Sequence, residues 1–175
     1  NSLQINVPAW ADAGSGNTGG TDYDISVQNQ KTKLFHGDTL IREGGGQAVN
    51  GFGVLTDEYK EFRVVTEAKR DANRWNTSVR TNTEWIFKAK KDDELWQYDL
   101  PFLTLNYQVD TDGNGNAPLN PPTELVISVE KVKDGIGYGE VEGATLEVSF
   151  DEGATWKEVK VNRNEDIFIA SIKNP

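Results

Sequence analysis

Apolar and polar side chains alternate along most of this chain, and the alternation is longest at residues 79–87. The odd-numbered positions of this run carry its less polar side chains, namely Val79, Thr81, Thr83, Trp85 and Phe87, and polar residues lie between them at 80, 82 and 84. A two-residue period is that of a half-buried β-strand, whose successive side chains point to opposite faces. Shorter alternating runs precede and follow it, and 17 glycines supply turns between them. Because long runs with helical spacing are missing, the sequence predicts an all-β, antiparallel chain.

The densest group of turn-forming residues lies at 110–122 and reads Asp-Thr-Asp-Gly-Asn-Gly-Asn-Ala-Pro-Leu-Asn-Pro-Pro. Such a run is typical of a connection between folded units. We therefore predict a jelly-roll-like β-sandwich over 1–110, a linker over 111–122, and a small immunoglobulin- or fibronectin-III-like β unit over 123–175. About four strands are expected in the second unit, which is marginal for a lone β domain, so we expect it to pack on the first unit or to be completed elsewhere.

Charge and composition exclude several kinds of binding partner and of chemistry for this chain. Asp and Glu number 28 against 18 Lys and Arg, a net charge of -10, which disfavours nucleic acid because phosphates are bound by clustered basic residues. No apolar run is long enough for a helix that spans a bilayer. The absence of Cys excludes disulfides, thiolate-bound zinc and a Cys nucleophile. Since the chain begins with Asn and contains no Met, we expect an excised fragment whose targeting sequence was removed or lies upstream.

A hairpin signature lies at residues 149–156, which read Ser-x-Asp-x-Gly-x-Thr-Trp between two alternating runs. Ser149 and Asp151 can cap the free backbone groups of a turn, Gly153 can adopt a positive φ, and Trp156 adds apolar area beside it. The pattern resembles the Asp-box of sialidases and sortilin-type propellers, which also occurs singly in other β modules. A propeller would need repeats at blade spacing, and one copy is present. We therefore predict a structural role for these four residues.

Five segments follow one another in an order that carries a family resemblance. They are Asp-Thr-Leu-Ile-Arg-Glu at 38–43, Tyr-Lys-Glu-Phe-Arg-Val at 59–64, Trp-Asn-Thr-Ser-Val-Arg-Thr-Asn-Thr-Glu-Trp-Ile-Phe at 75–87, Leu-Pro-Phe-Leu-Thr-Leu-Asn-Tyr-Gln-Val at 100–109, and the Asp-box. This order resembles the C-terminal, non-catalytic region of secreted subtilisin-family (S8) serine peptidases of Gram-positive, mainly actinobacterial, bacteria. The resemblance implies an extracellular accessory region that stabilises the protease or binds substrate or the cell surface. The implied partner is an upstream protease domain of the same polypeptide, which carries the catalytic residues.

Catalysis by this chain itself is not predicted. His36 is the only histidine and sits beside Gly37 in an expected turn, without a Gly-x-Ser-x-Gly elbow, while Ser15 lies in a loop. The carboxylates of 92–94 are adjacent on one expected loop, whereas glycoside hydrolysis needs two carboxylates across a cleft. A hydrolase that uses Asp and Glu is kept as a third hypothesis.

A calcium site is the one cofactor alternative. Asp110, Asp112 and Asn114 have the spacing of the first half of an EF-hand loop, where alternating oxygen atoms face one cation. The twelfth position, which should be a bidentate Glu, is Pro121. We therefore predict a turn here, with calcium as the alternative and no other cofactor.

The tryptophan residues are the basis of an alternative prediction of function. Trp75 and Trp96 flank the long predicted strand and could form an aromatic platform for sugar rings, whereas Trp85 shares the apolar parity and is assigned to the core. On this reading the chain is a carbohydrate-binding module of an extracellular enzyme, and its partner is a polysaccharide.

Overall fold

The computed structural model describes residues 2–11, 18–19, 27–95, 98–118 and 120–175. Every regular element in these ranges is a β-strand, and every strand pair is antiparallel, which confirms the predicted all-β class. The chain divides into two compact units, Asn1–Phe102 and Leu103–Pro175. No helix in the described ranges is long and apolar enough to cross a membrane.

The first unit is built on a four-stranded sheet with two additional strand pairs. Its strands are β1 (Leu3–Asn6), β2 (Trp10–Ala11), β3 (Thr18–Gly19), β4 (Val27–His36), β5 (Thr39–Gly45), β6 (Ala48–Gly51), β7 (Lys60–Arg70) and β8 (Arg80–Ala89). The sheet has the order β5-β4-β7-β8, while β1 pairs with β6 and β2 with β3. The turn expected at His36 and Gly37 joins β4 to β5, and β8 contains residues 80–87 of the alternating run.

The core of the first unit lies between the four-stranded sheet and the β1–β6 pair. Leu34 of β4, Phe62 of β7 and Phe87 of β8 are buried on one face of the sheet. Leu3 and Val49, from β1 and β6, belong to the same buried cluster. Burial alternates along β8 as its sequence predicts, with Phe87 buried and its neighbours exposed. Two packed β layers around one apolar core give this unit a sandwich-like arrangement.

The second unit contains a smaller four-stranded sheet and a separate hairpin. Its strands are β9 (Leu103–Val109), β10 (Thr123–Lys131), β11 (Leu146–Val148), β12 (Lys157–Val159), β13 (Val161–Asn164) and β14 (Ile167–Ile172). The sheet order is β13-β14-β10-β9, and β11 pairs with β12. Its buried cluster consists of Ile127, Val141 and Phe168, with partly buried valines and a leucine around it.

The predicted boundary is wrong. The division falls between Phe102 and Leu103, and 111–122 connects β9 to β10 inside the second unit. The physical reason is that β9 pairs along its whole length with β10, from Leu103 opposite Lys131 to Val109 opposite Leu125. A turn-rich connection between paired strands and a linker between domains have the same composition, so composition could not separate them.

Candidate functional site

The turn at 149–156 is closed by its own side chains, in the roles its sequence predicts. Asp151 Oδ1 accepts hydrogen bonds from Ser149 Oγ and from Thr155 N, both at 2.8 Å. Thr155 Oγ1 donates to Asp151 Oδ2 at 2.6 Å, and Gly153 N donates to Ser149 Oγ at 2.8 Å. Gly153 has a φ of 91°, a conformation that glycine adopts without a steric penalty. The turn is therefore specified within a few residues of sequence.

The environment of Asp151 fixes its charge. The hydroxyl of Thr155, then the amide of Thr155 and the hydroxyl of Ser149, lower the pKa of Asp151 to about 2. Hydrogen bonds to the charged form favour that form. A carboxylate that caps its own turn and stays ionised at neutral pH suits a structural role, since a general acid or base needs a pKa near the working pH.

Two aromatic side chains stand out from this hairpin. Trp156 is 60% exposed, although its Nε1 donates to Gly153 O at 3.2 Å, which holds the indole against the turn. Phe150 is also exposed. The predicted role of Trp156 beside the turn agrees with this contact.

The 110–116 segment is also a self-capped turn. Asp112 Oδ1 accepts hydrogen bonds from Asn114 N at 2.8 Å and Asn116 N at 2.9 Å. These amides, that of Asn116 first, lower the pKa of Asp112. Within the described residues no group of three or more His, Cys, Asp or Glu converges on a point that could hold a metal. Calcium at Asp110, Asp112 and Asn114 stays the alternative to the predicted turn.

The other candidate polar residues have local partners. Asp92 Oδ1 accepts hydrogen bonds from Glu94 N at 2.9 Å and Leu95 N at 3.1 Å, so it caps a turn. Asp93 pairs with Lys91. His36 is exposed at the end of β4, with its ring centroid 5.7 Å from that of Phe62. Ser15 and Trp96 lie outside the described residues.

Three residues from distant parts of the first unit form an aromatic–guanidinium cluster. The Arg70 guanidinium carbon lies 4.2 Å from the ring centroid of Trp10 and 4.4 Å from that of Trp75. Trp10 Nε1 donates to Ser78 O at 2.9 Å, which ties the start of the chain to the β7–β8 turn. Trp75 is 42% exposed. In contrast, Trp85, which its sequence position assigns to the core, is partly buried against the core cluster and stacks on Phe102 with ring centroids 5.1 Å apart and near-parallel rings.

Exposed basic residues surround this cluster at the end of the β7–β8 hairpin. Lys69 and Arg80 are directly opposite each other, and Arg74 lies in the turn. We call Lys69, Arg70, Arg74, Trp75 and Arg80 the hairpin-end patch. Four basic residues within 69–80 of an otherwise acidic chain are the sequence signal for this patch.

A second exposed feature is β9, at one end of the sheet of the second unit. Leu105 is 49% and Tyr107 62% exposed, yet they lie opposite Val129 and Ile127 of β10. The apolar face of this sheet therefore continues onto the edge strand and is partly uncovered there. The sequence of β9 alternates between Leu103, Leu105, Tyr107 and Val109 and more polar residues, a pattern that does not tell whether its apolar side is covered.

No family model matches the chain, and neither the curated proteins nor the solved structures contain a significant match.

Proposed function

We propose that this chain is a non-catalytic accessory region of a secreted subtilisin-like serine peptidase. Its task is to dock on the protease domain of the same polypeptide and to stabilise it, or to hold substrate or the cell surface near it. The order of the five sequence segments described above supports the family assignment. The β9 strand is the observation that supports docking.

β9 has the properties of an interaction strand. Its seven residues, Leu-Thr-Leu-Asn-Tyr-Gln-Val, include no charged side chain, in a chain of which 26% is charged. Edge strands of proteins usually carry charges or proline that prevent pairing with other chains. Within the described residues the sheet neighbour of β9 is β10, and the side chains of Leu105 and Tyr107 are exposed. Burial of Leu105 and Tyr107 under another domain would contribute favourable apolar free energy.

The polar residues support a role without catalysis. Asp112 and Asp151 each accept hydrogen bonds from backbone amides of their own turns. Such carboxylates hold the backbone in shape. On this proposal the isolated chain cleaves neither peptides nor glycosides.

The first test is to determine the reading frame that encodes the chain. A domain with the Asp, His and Ser of subtilisin-type peptidases upstream is expected, and a different enzyme there, or none, would refute the family assignment. In that longer protein, Leu105→Lys with Tyr107→Lys should shorten the half-life of peptidase activity on heating. Ile86→Lys, which replaces an exposed apolar strand residue of the first unit, is the matched control and should leave the half-life unchanged.

A carbohydrate-binding module is the second candidate function, and the exposed indole of Trp75 favours it. Retention of the chain on insoluble polysaccharide, weakened by Trp75→Ala, would support it. Retention that Trp75→Ala and Trp96→Ala leave unchanged would place sugar binding elsewhere on the chain, and no retention of the unsubstituted chain would refute this candidate.

A further inference from the structure

The end of the β7–β8 hairpin is basic, although the chain as a whole is acidic. Residues 69–80 contain four Lys or Arg and one Asp, whereas the net charge of the chain is -10. We propose that the hairpin-end patch binds an extended acidic polysaccharide. This inference rests on the second candidate function, saccharide binding, and narrows its ligand to an anionic polymer.

Lys69 and Arg80 of the patch differ from the other basic residues on the same sheet face, whereas Arg74 in the turn pairs with Asp71 at 3.7 Å. Further along that face the basic residues have acidic partners, in the pairs Lys31–Glu43 at 3.6 Å, Lys33–Glu67 at 4.0 Å and Arg63–Glu84 at 3.5 Å. Lys69 and Arg80 instead oppose each other across the strands, and within the described part of the chain neither forms an ion pair. Like charges directly opposite in a sheet are destabilising. An anion bound between the two side chains would remove that repulsion.

The aromatic part of the patch is held in place by its turn. Trp75 N donates to Asp71 O at 3.1 Å, and Asp71 Oδ1 accepts from Asn73 N at 2.9 Å. Arg70 lies over the indole of Trp75. A fixed, part-exposed indole can contact the apolar C–H face of a pyranose ring, while a guanidinium binds a carboxylate or sulfate. Because little ordering is needed on binding, a small site of this kind can retain useful affinity.

The positions of these groups indicate a polymer. Lys69 and Arg80 lie on one face of the sheet, and Arg70, the next residue of β7, lies on the opposite face. Arg74 and Trp75 lie in the turn that connects β7 to β8. A single sugar cannot reach both faces of the hairpin end. A chain of acidic sugars that runs over the turn can contact both sets.

The test uses the whole 175-residue chain and measures its mobility in gels that contain polygalacturonate, neutral pullulan or neither. We expect retardation by polygalacturonate that decreases with added salt. Lys69→Gln with Arg80→Gln should weaken binding about tenfold, as loss of two charge contacts predicts. Lys31→Gln with Lys33→Gln removes the same charge from the same face and should weaken it less than about twofold.

Trp75→Ala should also weaken binding to polygalacturonate, whereas Trp75→Phe should retain most of it. Thermal unfolding of each variant shows whether its fold is kept. An equal loss of polygalacturonate binding in the Lys69/Arg80 and the Lys31/Lys33 double variants would overturn the inference, because net charge alone would then explain binding. Binding to pullulan alone would overturn it but leave saccharide binding standing, and binding to neither polymer would refute both. Tighter binding to single-stranded DNA than to polygalacturonate would also overturn it.

Discussion

Substitution by alanine at two adjacent glycines of β5, Gly44 and Gly45, should have different effects on the free energy of unfolding. A Cβ added at Gly44 would overlap the carbonyl oxygen of Ala48 and lie 3.3 Å from its carbonyl carbon. A Cβ added at Gly45 would meet nothing within 4 Å. Neither glycine has a positive φ, so backbone strain does not distinguish them. Gly44→Ala and Gly45→Ala therefore form a matched pair that isolates one steric contact.

The loss of stability expected for Gly44→Ala depends on how firmly the backbone at Ala48 is held in place. Ala48 begins β6 and is opposite Asn6 of β1, and these two strands cover the buried core of the first unit. Gly46, between β5 and β6, is anchored as well, because its carbonyl oxygen accepts from Thr32 Oγ1 at 2.9 Å. A movement of about 1 Å in this backbone is the kind of overpacking that costs about 1–3 kcal/mol.

Gly45→Ala should leave the free energy of unfolding unchanged or raise it by up to about 1 kcal/mol, because alanine reduces the entropy of the unfolded chain. Urea unfolding followed by tryptophan fluorescence measures both variants. Four of the five tryptophans lie in residues 1–102, so the signal reports mainly on the first unit. Equal effects of the two substitutions, or a loss below about 0.5 kcal/mol for Gly44→Ala, would refute the steric argument.

Three further outcomes are expected. The Leu34 side chain is 0% exposed, so Leu34→Ala should lower the free energy of unfolding by about 2–5 kcal/mol in the same urea assay. Leu40 is exposed, so Leu40→Ala should lower it by less than about 1 kcal/mol. Because the folded pKa of Asp151 is about 2, below the ordinary 3.8, its stabilisation of the turn is complete above 3.8 and is lost as pH falls through 2. The amide proton shift of Thr155 should follow this titration, and a midpoint near 3.8 would contradict it. Thr155→Val removes the hydroxyl that contributes most, so the pKa of Asp151 should rise toward 3.8 in a carboxyl carbon NMR titration.

Local signals in the sequence predicted local structure well. The parity of β8, with Phe87 inward and its neighbours outward, follows directly from the two-residue period. The capping roles of Ser149 and Asp151 were also predictable, since their hydrogen bonds reach at most four residues along the chain. Side-chain-to-backbone bonds over such short distances depend little on the rest of the fold.

The features that the sequence did not predict depend on pairing between distant segments. The domain boundary was misplaced because the pairing of β9 with β10 cannot be read from the composition of 110–122. The two-residue period of 103–109 puts Tyr107 on the same face as Leu103 and Leu105, but a period does not tell whether another layer covers that face. The contact of Arg70 with Trp10 joins β7 to the start of the chain, and no local pattern predicts such a contact.

The self-closed turn at 149–156 has a consequence for the order in which the second unit folds. Loops of about ten residues close in roughly 10–100 ns, and hairpins form in about 1–10 μs. The four-stranded sheet must instead join Thr123 to Ile172, a contact far apart in sequence that is slower to form. The β11–β12 hairpin is therefore expected to form before the sheet, with its turn already fixed when β10 meets β14.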